Sequence, residues 1–102
     1  QIVEIVQAVT GWDCSLWELE KVGERAAVMG RLFNLRRGLD AATDTLPKRF
    51  YEAFASGPLE GVAIDPKALD EARRTYYAMA GWDERGVPTR GKLAELDLEW
   101  AL

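Results

Sequence analysis

Between Ser15 and Gly38 apolar residues recur at three- and four-residue spacing, and both ends of the run carry their own punctuation. Ser15 with Glu18 is a capping box: the serine oxygen accepts the N3 amide while the glutamate reaches back to the cap's own N–H. Leu16, Leu19, Val22, Ala26, Met29, Leu32 and Phe33 then keep one stripe for about six turns. Arg36 and Arg37 suit the negative helix end, and Gly38 supplies a stop. The pattern predicts one long helix over about residues 15–37, and in a chain of 102 residues such an element sets the architecture around it.

The remaining segments are shorter and mostly helical. Ile2, Val3, Ile5, Val6 and Val9 read as the last turns of a helix that Gly11 ends. Residues 39–46 read as a loop, and Pro47 is placed to open a short helix anchored by Phe50, Tyr51 and Phe54. Ser56, Gly57, Pro58 and Gly61 break the pattern, leaving Val62 to Ile64 extended. Asp65-Pro66 starts another helix whose stripe is Ala68, Leu69, Ala72, Tyr76 and Met79, as far as Gly81. A last helix begins near Thr89 and carries Leu93 and Leu96. No segment alternates with period two for long, so the fold class is all-α, an irregular multihelical array of four or five helices. Residues 1–102 are expected to form a single helical domain. Because the helical pattern is under way at Gln1, the chain reads as a fragment of something larger.

Gly11-Trp12-Asp13 and Gly81-Trp82-Asp83 each follow a helix. In both, glycine would take the left-handed position, tryptophan pack back on the last turn, and aspartate accept a turn hydrogen bond.

Composition closes most catalytic routes. With no His and one Cys the chain forms no intramolecular disulfide, no His-containing zinc site and no Ser–His–Asp triad. Its net charge of −4 offers no overall attraction to nucleic acid or an anionic membrane, and no apolar run spans a bilayer. Cys14, flanked by Asp13 and without a His to act as base, reads as a buried, inert thiol; the alternative is a ligand shared with cysteines elsewhere. Charge is uneven: residues 31–49 hold five basic and two acidic groups, through Arg31, Arg36, Arg37, Lys48 and Arg49. That segment fits an oxyanion-bearing cofactor or acidic partner, or simply helix-end compensation with internal ion pairs. Gly23, Ala27 and Gly30 would admit the close approach of another helix, and Trp12, Trp17, Trp82 and Trp100, with Tyr76 and Tyr77, read mostly as core or as contact with a missing domain.

Several motifs occur in order: Thr10-Gly11-Trp12-Asp13, Gly23-Glu24-Arg25, Arg31-Leu32-Phe33-Asn34-Leu35-Arg36 with Gly38, Asp44-Thr45-Leu46-Pro47-Lys48-Arg49-Phe50, Tyr76-Tyr77 with Gly81-Trp82-Asp83, and Leu93-x-x-Leu96-x-Leu98. Over roughly residues 10–98 this set resembles the C-terminal helical domain of the tungsten-containing aldehyde:ferredoxin oxidoreductases. Departures include Gly30 where an acid often stands, Arg37 where Glu is common and Asp97 where Gly is common.

The resemblance implies a parent enzyme that oxidises aldehydes with water to carboxylic acids and passes electrons to ferredoxin. The parent would bind tungsten, or molybdenum, through two pterin dithiolenes beside one [4Fe–4S] cluster held by four cysteines. Those ligands lie upstream, so no catalytic, cofactor or metal residue is carried onto this chain, which is expected to be inactive alone and to help enclose the cofactor region. Arg31, Asn34, Arg36 and Arg49 are the candidate interdomain contacts. The expected partners are upstream domains of the same chain and, for the parent, ferredoxin in the cytoplasm. A homo-oligomer is compatible with the sequence, whereas nucleic acid and membrane are not expected partners. The competing class is a stand-alone helical interaction module.

Overall fold

The computed structural model describes residues 1–101; Leu102, the last residue of the expected domain, lies outside them. Four α-helices follow one another: α1 (Ile2–Thr10), α2 (Leu16–Arg36), α3 (Pro66–Ala80) and α4 (Arg90–Glu95), with 3-10 turns at Lys48–Tyr51 and Glu99–Ala101. No strand forms among the described residues, only single bridges between Phe54 and Glu60 and between Trp82 and Pro88. The all-α expectation holds, as does the long helix.

The helix ends form as the local chemistry requires. Ser15 and Glu18 make both halves of the capping box. Asp65 caps α3 through the Lys67 amide ahead of Pro66, and Thr89 caps α4 through the Lys92 amide. Gly11 and Gly81 adopt the left-handed conformation after α1 and α3. The two Gly-Trp-Asp segments nevertheless differ. Trp82 lies 5.7 Å from both Tyr76 and Tyr77, and Asp83 accepts the Arg85 and Val87 amides. Trp12 is left exposed. Pro47 is the N-cap of a 3-10 turn rather than a first-turn residue of a helix, because its ψ of 145° is extended.

The core is small. Val28 and Leu32 of α2 meet Leu93, Leu96, Leu98 and Ala101, so the C-terminal segment plugs the middle of the long helix. Leu32, Leu93 and Leu96 turn inward as the sequence pattern predicts, but most of the apolar stripe of α2 and of α3 does not. On α2 the buried residues are Val28, Arg31 and Leu32, while Leu16, Val22, Met29 and Phe33 stay exposed. On α3 Tyr77 is buried, while Tyr76 and Met79 point outward, Met79 at 82% exposure. No residue of α1 is buried. Among the described residues these outward faces have no partner. Two magnitudes agree: the radius of gyration is 18.3 Å against about 13 Å for a compact domain of this length. The accessible surface of 7829 Å² exceeds by about 2,000 Å² that of a folded monomer of this mass.

Candidate functional site

Turning the Val28–Leu32 face inward forces Arg31 out of water, and a buried guanidinium must find charge and acceptors. Its Nε donates to the Gly86 carbonyl at 2.8 Å and Nη1 to Asp44 Oδ1 at 3.0 Å. Nη2 faces Oδ2 at 2.8 Å as an ion pair that lacks hydrogen-bond alignment. The planar group sits 5.0 Å from the Trp82 ring and 5.7 Å from that of Tyr77, within cation–π range. Tyr77 donates its hydroxyl to Asp44 Oδ2. Partial burial acts to raise the Asp44 pKa, but the Arg31 and Tyr77 hydrogen bonds outweigh it and hold the carboxyl below its ordinary value. Burial first, and then the Asp44 carboxylate, push the Tyr77 phenol up. Arg73 extends the knot by donating to the Ala41 carbonyl at 2.9 Å while pairing with Asp70. Asp44 thus ties α2, the following loop and α3 together.

A second polar assembly joins α2 to α4. Lys21, Glu24, Lys92 and Glu95 alternate in sign around a closed ring, with Lys21–Glu24 at 2.7 Å, Lys92–Glu24 at 2.6 Å, Lys92–Glu95 at 2.7 Å and Lys21–Glu95 closing it. Hydrogen bonds from Lys21 and then Lys92 lower the Glu95 pKa to about 2. Those two lysines lower Glu24 in the same way. Glu24 and then Glu95 raise both lysines above their ordinary value.

The four candidate contact residues fall in different places. Arg31 is the buried hub just described. Arg36 donates through Nη2 to the Ala101 carbonyl at 2.6 Å, anchoring the C-terminal turn to α2. Asn34 is exposed beside the groove between α2 and α3. Arg49 is exposed 5.4 Å from the Phe50 ring, on a separate loop. The structure therefore does not bring the four together. Sequence reasoning gave Asp44 no role and read Tyr77 only as core or contact, because their polar role depends on a buried arginine between them; Asp44 lies in a loop without periodicity, and Tyr77 sits one residue off the apolar stripe.

The donor set does not fit a metal or cluster. Cys14 is buried and free, and no group of three or more Cys, Asp or Glu side chains could hold a metal ion among the described residues. Nor is any described helix long and apolar enough to cross a membrane. What the chain does present is surface: the outward stripes of α1, α2 and α3, and a groove of about 480 Å³ between α2 and α3 lined by Ala27, Gly30, Arg73, Tyr76, Tyr77 and Trp82.

Comparison with known proteins identifies the family. The family model for aldehyde ferredoxin oxidoreductase, domains 2 and 3, matches residues 1–98. A tungsten-containing aldehyde ferredoxin oxidoreductase of Pyrococcus horikoshii is 43% identical over 94% of this chain, and that of Pyrococcus furiosus 41% identical over 93%. The WOR-like subunit of an aliphatic sulfonate oxidoreductase from Pyrococcus furiosus is 31% identical over 96%. The chain spans only 16–17% of the length of these curated relatives. The chain belongs to the aldehyde ferredoxin oxidoreductase family, and corresponds to a part of its domains 2 and 3.

Proposed function

We propose that this chain is a structural, non-catalytic part of a tungsten-containing aldehyde:ferredoxin oxidoreductase, and that it helps to enclose the parent's cofactor and substrate region. The carrying observation is the outward placement of its apolar stripes, with Leu16, Phe33 and Met79 at 57%, 65% and 82% exposure. So many large apolar side chains left facing water point to surface that another part of the protein covers. The relatives' names give tungsten, an aldehyde and ferredoxin; in this reading the parent oxidises the aldehyde with water to a carboxylic acid and passes the electrons to ferredoxin. Tungsten, or molybdenum, bound by two pterins and one [4Fe–4S] cluster would be held by residues outside this chain, since the described residues group no three Cys, Asp or Glu side chains that could hold a metal ion. In this reading the parent is a cytoplasmic enzyme, and a homo-oligomer is compatible with it.

In this reading Arg31 and Arg36 act indirectly. They hold the loop after α2 and the C-terminal turn in place, and so fix the shape of the face that meets the other domains. Asn34 and Arg49, exposed, would contact those domains directly.

The test compares the full-length gene product with residues 1–102 for metal and sulfide content and for aldehyde-dependent viologen reduction. Metal, iron and activity in the full-length protein, with none in the shorter chain, support the proposal. A full-length product free of metal and cluster would overturn it in favour of a helical interaction module.

A further inference from the structure

Leu19, Val22, Ala26, Met29 and Phe33 follow one another along α2 in alternating steps of three and four residues. That is the spacing of a coiled-coil seam, and it runs along the side of the helix roughly opposite Val28, Arg31 and Leu32. Among the described residues the seam is left largely uncovered: Val22, Met29 and Phe33 are 49%, 43% and 65% exposed, Ala26 is exposed and Leu19 half-buried. Gly23 and Gly30 form one shoulder of the seam, and at neither does an atom lie within 4 Å of where a Cβ would stand. Glu18 and Arg25 stand on the other shoulder.

A ridge that repeats every 3.5 residues is matched along its whole length by another helix, whose holes recur at the same period. A strand presents side chains to one face every second residue, and a loop has no period. The glycine shoulder lets a second helix approach toward the short end of the roughly 8–10 Å interaxial range.

We propose that this seam packs lengthwise against one helix of the parent polypeptide, from outside residues 1–102, that crosses α2 at a shallow angle and leans toward Gly23 and Gly30. The inference deepens the proposed function, on which it rests, by naming the element that covers α2. Three observations favour the same polypeptide over a second copy. The chain spans 16% of the relatives' length, so most of the polypeptide is available to supply the helix. The surplus surface of about 2,000 Å² exceeds the roughly 800 Å² that one partner buries in an ordinary interface. It extends to Ile2, Ile5 and Val9 of α1 and Met79 of α3, which a two-fold pairing through α2 alone would leave in water. Such a pairing, centred on Ala26, would also set Arg25 beside its own copy, like charge against like.

The experiment uses the full-length protein carrying the photo-crosslinker p-benzoylphenylalanine at Phe33 in one preparation and at Val22 in another. Products are separated by size under denaturing conditions and the cross-links mapped by mass spectrometry. The two positions are eleven residues apart, about 16 Å along α2. On a helix lying alongside, the two cross-links fall roughly nine to thirteen residues apart, whereas on a strand the same distance is about five residues. The expected result is the helical separation, on the same polypeptide outside residues 1–102. Where the Val22 variant fails to assemble, Leu19 replaces it, with an expected separation of about fourteen. Gly30→Leu should shorten the half-life of thermal inactivation about tenfold by blocking the close approach; a shoulder open to water would instead let it lengthen through helix propensity. Cross-links about five residues apart, on unconnected segments, to a second copy, to a separate polypeptide, to residues within 1–102 or to nothing overturn the proposal, as does a Gly30→Leu half-life that is unchanged or longer. A product that holds metal and cluster but cross-links elsewhere overturns only the helix assignment; a product without metal or cluster overturns the proposed function itself.

Discussion

Arg31 and Asp44 meet through both guanidinium Nη atoms and both carboxylate oxygens, yet the two residues are unequally buried, with 8% and 31% of their side chains exposed. The inequality decides which deletion is worse. Asp44→Asn leaves a buried guanidinium without its counter-charge and should cost about 3 kcal/mol, near the lower end for a broken buried pair. Arg31→Met leaves a carboxylate that water can reach, while Met fills much of the vacated volume, so its cost should be about 1–2 kcal/mol. Urea titration of the two variants checks the order, and equal losses would contradict the asymmetry.

Gly86 lies against the same pair. Its φ of +71° is left-handed, and a Cβ there would stand 2.8 Å from Tyr77 Cζ and run into Arg31. Gly86→Ala combines backbone strain with a clash in the knot and should lose about 2–4 kcal/mol. Gly91→Ala, in a helix with open space around it, should gain about 0.5–1 kcal/mol. Melting temperatures moving in opposite directions are the expected result.

Asp97 is the one non-glycine residue with positive φ among the described residues, at 55°. Asp tolerates this conformation better than most residues but still pays for its Cβ. Among the described residues its side chain makes no hydrogen bond, and its carbonyl accepts from the Trp100 indole at 3.0 Å. Asp97→Gly should therefore stabilise the chain by about 0.5–1 kcal/mol, read as a higher urea midpoint.

The ring of Lys21, Glu24, Lys92 and Glu95 sets a pH profile with two limbs. Glu95, depressed from 4.5 to about 2, contributes stability that is present above its unfolded value and is lost as pH falls through the interval between them. Lys21 and Lys92, raised above 10.5, contribute stability that is present below that value and is lost as pH rises through their folded pKa. Tyr77, raised above 10.0, adds to the alkaline loss. Stability measured by urea midpoint should be flat between roughly pH 5 and 9 on these groups. Glu95→Gln should shallow the acid limb, and 1 M salt should blunt the effect because the ring is solvent-accessible.

How much of this was legible in the sequence depends on what each signal encodes. Ser15 with Glu18, Asp65 before Pro66, and Gly11 and Gly81 are local devices, complete within a few residues, and the helix boundaries followed from them. The side of α2 that turns inward was not legible. A stripe such as Val22, Met29 and Phe33 states that a face must leave water, and it is silent on whether the cover lies within these residues. For Arg31 the sequence left an oxyanion-facing segment and an internal ion pair both open; the ion pair forms, but its partners Asp44 and Tyr77 lie far off in sequence and no local signal names them.

The outward stripes give the last prediction its two sides. Phe33 and Met79 are 65% and 82% exposed here, so in residues 1–102 alone Phe33→Ser and Met79→Ser remove little packing and should change the unfolding free energy by no more than about 0.5 kcal/mol. They should also lower binding of a hydrophobic dye such as ANS. In the full-length protein the same side chains would be covered, and each substitution should cost about 2–3 kcal/mol through lost burial and the cavity it leaves. Chemical denaturation of both proteins with both variants measures the difference directly. Equal, small effects in the two would mean that water covers this face in the parent as well. A large effect confined to the long chain would locate the partner of α2 and α3 in the remaining five-sixths or so of the polypeptide, as the relatives' 16% coverage implies.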